Sequence, residues 1–377
     1  MLRKISWLSV LMIFWTVTPA VAKPLDLTLA GRENYVRRGV FRLRTGPFIN
    51  QEAEYTAAPF YTTAGPPRNY VVNPPSEFDS VADLTLNVNN TPAFGCSGAL
   101  VGDNWVLTAA HCLTDNEGRL EVDGGTVSFD TANGTESLNI SDVYPHPDWD
   151  GDFFRGNDIA LLRTTTEASA NLTRYSIFTG NTDNILEEIS DKVGYGRSGH
   201  GRRGSVLNGG TKRAGENIYD AYSDTLLTGI GETPGVDFIP RAFLGYDFDN
   251  GTEANDAYGF FFNIDDLGLG AREVSAAPGD SGGPTFVNNQ IVGVTSWGIR
   301  LSLNNGATSD VNRQINSSFG EFTFDTNVSL YQNWVNSYLQ GNVLTTFNDE
   351  QIVPEPMTIL GTGLVFLFMP LLKKHRI

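Results

Sequence analysis

Cysteine is nearly absent, with two in 377 residues. A small scaffold held by many disulfides is thereby excluded, and at most one bridge can form. Basic residues are in deficit, 26 Lys and Arg against 43 Asp and Glu, for a formal charge of −17. Nucleic-acid binding calls for the opposite balance, because phosphate backbones attract a basic face. Histidine is scarce as well: His111, His146, His200 and His375 make up all 4. Against these shortages, aromatic residues reach 11% and hydrophobic residues 40%, enough to bury a core and to exclude a disordered chain. Forty Gly and 18 Pro supply many turns, which suits an all-β fold. At about 150 residues per domain the length allows two or three domains, or one larger β unit.

Both ends read as addresses. Arg3 and Lys4, the apolar run Ile5 to Val17 and the small residues Ala20-Val21-Ala22 have the layout of a cleaved secretory signal over residues 1–22. At the other end Val353-Pro354-Glu355-Pro356 precedes the apolar stretch Met357 to Leu372, then Lys373, Lys374, His375 and Arg376. Sixteen apolar or small residues make a marginal span, and the basic tail belongs on the cytoplasmic side. This C-terminus resembles the PEP-CTERM sorting signal of Gram-negative bacteria. The resemblance implies transient contact with the membrane and with a C-terminal sorting peptidase. It also implies delivery to the cell surface or extracellular matrix. A plain C-terminal anchor is the alternative.

Between the ends, residues 23–68 show no clear periodicity and read as a pro-segment or N-terminal arm; residues 341–352 read as a linker. Ala82 to Val88 alternates as a half-buried strand does. Trp105 to Leu107, Ile159 to Leu162 and Ile291 to Trp297 are further strand candidates, and only Val328 to Leu339 looks helical.

Three motifs carry chemistry, in the order His, Asp, Ser: Leu107-Thr108-Ala109-Ala110-His111-Cys112, Asn157-Asp158-Ile159-Ala160-Leu161-Leu162, and Pro278-Gly279-Asp280-Ser281-Gly282-Gly283-Pro284. A serine hydroxyl is a weak nucleophile near neutral pH and needs a base such as imidazole. The imidazole in turn needs a carboxylate to fix its tautomer and stabilise its protonated form. The oxyanion formed on attack needs preorganised N–H donors, and a glycine-rich turn can converge them. A merely structural turn is the alternative for the third motif alone.

With these motifs the chain resembles the trypsin/chymotrypsin family of serine proteases over residues 69–340. The resemblance implies two perpendicular six-stranded antiparallel β-barrels with a C-terminal helix. It implies an endopeptidase that needs no metal or organic cofactor and takes a protein or peptide substrate. It assigns His111 as general base, Asp158 as its orienting carboxylate, Ser281 as nucleophile, and the N–H groups of Gly279 and Ser281 as oxyanion hole. It pairs Cys96 with Cys112. Ser296, Trp297 and Gly298 match the strand that binds the substrate backbone, and Ser275 the floor of the primary pocket, with Gly298 and Gly320 as walls. A neutral floor disfavours Lys or Arg at the cleaved bond.

The sequence also departs from the family. Asp158 and Ser281 lie 123 residues apart, some 30 more than in shorter members, and the excess falls within Ser198 to Asp266. Asp280 is present, but the matching activation region, Arg68 to Val72, has no Gly-Gly. Two other readings therefore stay open, a catalytically weak surface or matrix-binding protein and an esterase.

Overall fold

The computed structural model describes residues 37–58 and 61–341. The expected secretory signal, the linker beyond residue 341 and the expected C-terminal sorting signal lie outside them. Among the described residues no helix is long and apolar enough to cross a membrane. The chain divides into two units, residues 1–333 and 334–377.

The arm contributes strands β1 (Arg37–Arg42), β2 (Glu52–Ala58) and β3 (Tyr61–Thr63). Then β4 (Val81–Val88), β5 (Thr91–Gly102), β6 (Trp105–Thr108), β7 (Gly124–Thr131), β8 (Gly134–Pro145) and β9 (Ala160–Thr164) close into a barrel of order β4-β5-β6-β9-β8-β7. Alternation explains the first strand: Leu84 and Leu86 are fully buried, while Thr85 between them is exposed. The turn Asn89-Asn90 links β4 to β5 with both residues at positive φ, a conformation Asn tolerates.

The second half is built on β10 (Ser176–Ile177), β11 (Ile189–Gly194), β12 (Arg213–Ile218), β13 (Ala221–Tyr222) and β14 (Phe243–Asp247). It continues with β15 (Val274–Ala276), β16 (Pro284–Val287), β17 (Gln290–Leu303) and β18 (Phe322–Asn327). Ten strands form one sheet along β12-β11-β16-β17-β18-β14-β13, with β10 and the β1–β2 hairpin attached through β17. The remaining two, β15 and β3, pair with each other. The architecture is thus mostly β, with one closed six-strand barrel and a further, larger sheet.

Two outcomes differ from the sequence reading. The arm, which shows no clear periodicity in the sequence, holds three strands whose partners lie more than 210 residues away or within the arm itself; such pairing leaves little local periodicity. The segment Ser198 to Asp266 also contains two short helices, α1 (Ser223–Ile230) and α2 (Ala257–Phe262). The first stops at Gly231, left-handed at φ 108°, and the second is capped by Asp256, whose carboxylate accepts the Gly259 N–H. Each is two turns or fewer, too short to print a clear helical period. The expected C-terminal helix appears as a 3-10 turn Val328–Tyr331 followed by α3 (Gln332–Leu339).

Candidate active site

His111 sits in a 3-10 turn directly after β6, and Asp158 directly precedes β9, the strand paired with β6. The two neighbouring barrel strands therefore deliver base and carboxylate to one place. One Asp158 oxygen lies 2.7 Å from His111 Nδ1 and the other accepts the His111 backbone N–H at 2.8 Å. The Ser296 hydroxyl donates to the oxygen that faces the ring, and the Asp158 carbonyl accepts from Thr326 Oγ1 at 2.7 Å. Asp158 is fully buried. A buried carboxylate holding this many donors is fixed in orientation, and through it the imidazole is fixed too.

The turn into Asp158 is held from several directions. Asn157 adopts φ 64°, donates its N–H to Tyr331 Oη at 2.9 Å, and its amide reaches the Asp148 carbonyl. His146 packs edge-on against the Tyr331 ring, and burial lowers its pKa to about 4. Phe153 lies 5.1 Å from the His111 ring.

Cys96 on β5 and Cys112 form a disulfide that ties the His111 turn to the barrel. Closing a loop of this length stabilises by roughly 3 kcal/mol.

Ser281 lies in the turn between β15 and β16, on the other half of the molecule, and is buried. Gly279 has φ 97° and Gly282 φ 81°, both left-handed. At Gly282 a Cβ would lie 2.0 Å from Thr108 Oγ1 and 2.4 Å from the Ser97 carbonyl, so only glycine lets the turn approach the barrel. Ser97 makes that junction: its N–H donates to the Ser281 carbonyl at 2.8 Å and its hydroxyl to the Gly279 carbonyl at 2.8 Å. The N–H of Tyr195 donates to the same hydroxyl. Asp280, buried beside Ser281, accepts from the N–H groups of Gly196 and Ala277, and burial raises its pKa well above the usual carboxylate range.

On β17, Ser296, Trp297 and Gly298 follow one another past this turn. Trp297 is buried, stacked on Phe324 at 4.1 Å and covered by Phe154 at 5.0 Å. Ser275 on β15 is buried, and its hydroxyl shares a 2.9 Å hydrogen bond with Thr323 Oγ1. Thr323 is the cross-strand partner of Gly298. Gly320, expected as a further wall, turns at φ 88°, and a Cβ there would lie 2.1 Å from the Ser309 carbonyl oxygen.

Two carboxylates near the pocket are engaged elsewhere. Glu273 accepts the N–H groups of Asp249 and Leu269, and burial raises its pKa to about 9. Asp310 pairs with Arg300 at 2.8 Å and accepts from the Ser318 hydroxyl.

Sequence motifs pointed to His111, Asp158, Ser281 and the Ser296 to Gly298 strand, but missed Ser97, Thr323 and Thr326. These are single polar residues on strands, and nothing in their neighbours' sequence marks them.

A carboxylate-oriented imidazole and a serine on a glycine-rich turn are the parts from which an acyl-transfer site is built. The family model described as Trypsin matches residues 74–227 and 251–319, more than half of the chain. The chain belongs to the trypsin family of serine proteases. Among its relatives is trypsin Blo t 3 of Blomia tropicalis, 25% identical over 238 residues, covering 61% of this chain and 76% of that protein. A trypsin of Saccharopolyspora erythraea is 27% identical over 207 residues, covering 54% and 75%. The solved structure of HL collagenase is similar over 72% of this chain and 97% of its own, at 20% identity and a TM-score of 0.47.

Proposed function

We propose that the protein is an exported serine endopeptidase working through His111, Asp158 and Ser281. The observation that carries this reading is the Asp158 carboxylate held across both the ring nitrogen and the backbone N–H of His111. In the reaction, Ser281 Oγ attacks the scissile carbonyl as His111 takes its proton. The N–H groups of Gly279 and Ser281 hold the oxyanion, and His111 then protonates the departing amine. Water, activated by the same imidazole, releases the acyl group from Ser281. Labelling by an active-site phosphonate, followed by peptide and ester turnover, tests this. Adduct with fast peptide cleavage supports a peptidase, adduct with ester turnover alone an esterase, and no adduct a binding protein on the protease fold.

The pocket carries no uncommitted carboxylate at its floor, since Ser275 is neutral and Glu273 and Asp310 are held elsewhere. A large apolar residue before the cleaved bond is preferred over Lys or Arg, worth about 1.5–3 kcal/mol of burial.

Residues 23–68 act as a pro-segment. Gly298 and Ile299 carry β18 on one side and β2 on the other, so β2 lies on the side where β16 pairs with residues 290–294. Thr295 is tied to the nucleophile turn through Gly282 and Gly283. Among the described residues, that edge of β17 has no strand partner at Ser296 and Trp297. Tyr55 of β2 also packs on Phe154, the ring that covers Trp297. A substrate backbone needs this edge, so the arm restrains the enzyme until it is displaced or cut. Export through the N-terminal signal and sorting through Pro354-Glu355-Pro356 complete the reading, and a disulfide suits an oxidising compartment.

A further inference from the structure

Beyond the active site, three buried carboxylates form a dense cluster. Asp247 ends β14, Asp249 follows two residues later, and Asp256 caps α2. Each is 2% exposed. The loop between them folds back on itself: Asn250 bonds Asn255 through its amide, and Thr252 bonds the Asn250 carbonyl oxygen. One carboxylate oxygen from each of the three lies within 4.8 Å of the other two. Oxygens bound at 2.3–2.6 Å to one Ca2+ are at most about 5 Å apart, so this spacing fits a single ion.

Backbone donors use only part of this oxygen set. Asp247 Oδ2 accepts the Tyr258 N–H at 2.7 Å and Asp256 Oδ1 accepts the Gly259 N–H. Asp249 Oδ1 has no hydrogen-bond partner, and neither has the Tyr258 hydroxyl, fully buried close to Asp247 and Asp220. No Lys or Arg among the described residues forms an ion pair with any of the three carboxylates. Three carboxyl groups buried together without a cation are costly when ionised, and an unpartnered oxygen adds to the cost.

We propose that Asp247, Asp249 and Asp256 bind one Ca2+ ion, which holds the loop after β14 onto α2. The donors are all oxygen and carry up to three negative charges, the chemistry of a hard cation. Mg2+ demands tighter octahedral geometry and keeps several waters, which suits a buried carboxylate cluster less well. The ion is structural and takes no part in the acyl transfer. Asp247 and Asp249 lie in residues 228–250, the stretch that the trypsin-family match leaves out, so the site belongs to what this chain adds to its family.

The test is calorimetric titration of the EDTA-dialysed protein with CaCl2, together with thermal unfolding with and without Ca2+. One site per chain is expected, with a Tm that rises on adding Ca2+. Asp249→Asn and, separately, Asp256→Asn should each weaken Ca2+ binding at least tenfold and remove the Tm rise. Asparagine at 256 keeps the α2 cap, so this variant folds even if the other does not. The proposal is overturned by absence of binding at millimolar Ca2+, by wild-type binding in both variants, or by an equal Tm rise with Mg2+.

Discussion

Asp158 concentrates the polar organisation of the site: His111, Ser296 and Thr326 all converge on it. Asp158→Asn should keep the fold and lower kcat on the order of 10^4-fold, because the amide holds the wrong tautomer of His111. A loss below tenfold in steady-state assays would remove Asp158 from the orienting role. His146 gives a pH signature. Its folded pKa near 4 lies below the ordinary value of 6.5, so the unfolded chain binds the proton more readily. Its effect on stability is therefore absent above pH 6.5, and stability is lost as pH falls from 6.5 towards 4. Denaturant unfolding should show a shallower loss over that window in His146→Gln than in the native chain. Parallel curves for the two proteins would contradict the burial account.

At the level of elements, the barrel was largely legible. Ala82 to Val88 alternates and became β4; Ile291 to Trp297 became the first half of β17; His111 and Asp158 fell beside the paired strands β6 and β9. The arm was not legible, because β2 finds its partner on β17 across more than 240 residues of chain and shows only weak alternation itself. The same pairing makes a prediction. Active protein should remove the arm that carries β2 by its own cleavage, so N-terminal sequencing and intact mass should find residues before Ala58 missing. The same protein with Ser281→Ala should keep the arm, and its loss there would mean another protease makes the cut.

On the scale of the whole molecule, the two halves meet at Ser97, Thr108 and Gly282, so the disulfide and the nucleophile turn stabilise a shared junction. Cys96→Ser with Cys112→Ser should cost roughly 3 kcal/mol of stability in denaturant unfolding, and no measurable loss would mean the bridge is dispensable. The Ser275–Thr323 hydrogen bond was only half legible for the same long-range reason: Ser275 follows from counting back from Ser281, whereas Thr323 comes from the β17–β18 register. Peptides that differ only in Phe or Arg before the cleaved bond should favour Phe in kcat/KM. An Arg peptide turned over tenfold faster would mean that a carboxylate enters the pocket after all.

The central claim is that Ser281 is the nucleophile of a working protease. Its most direct test is intact-mass analysis after exposure to an active-site phosphonate, with peptide mapping of the adduct. One adduct on Ser281 is expected, absent from Ser281→Ala and from His111→Ala, with peptidase activity lost in step. No adduct, an adduct on another residue, or more than a tenth of the native peptidase activity in Ser281→Ala would contradict it.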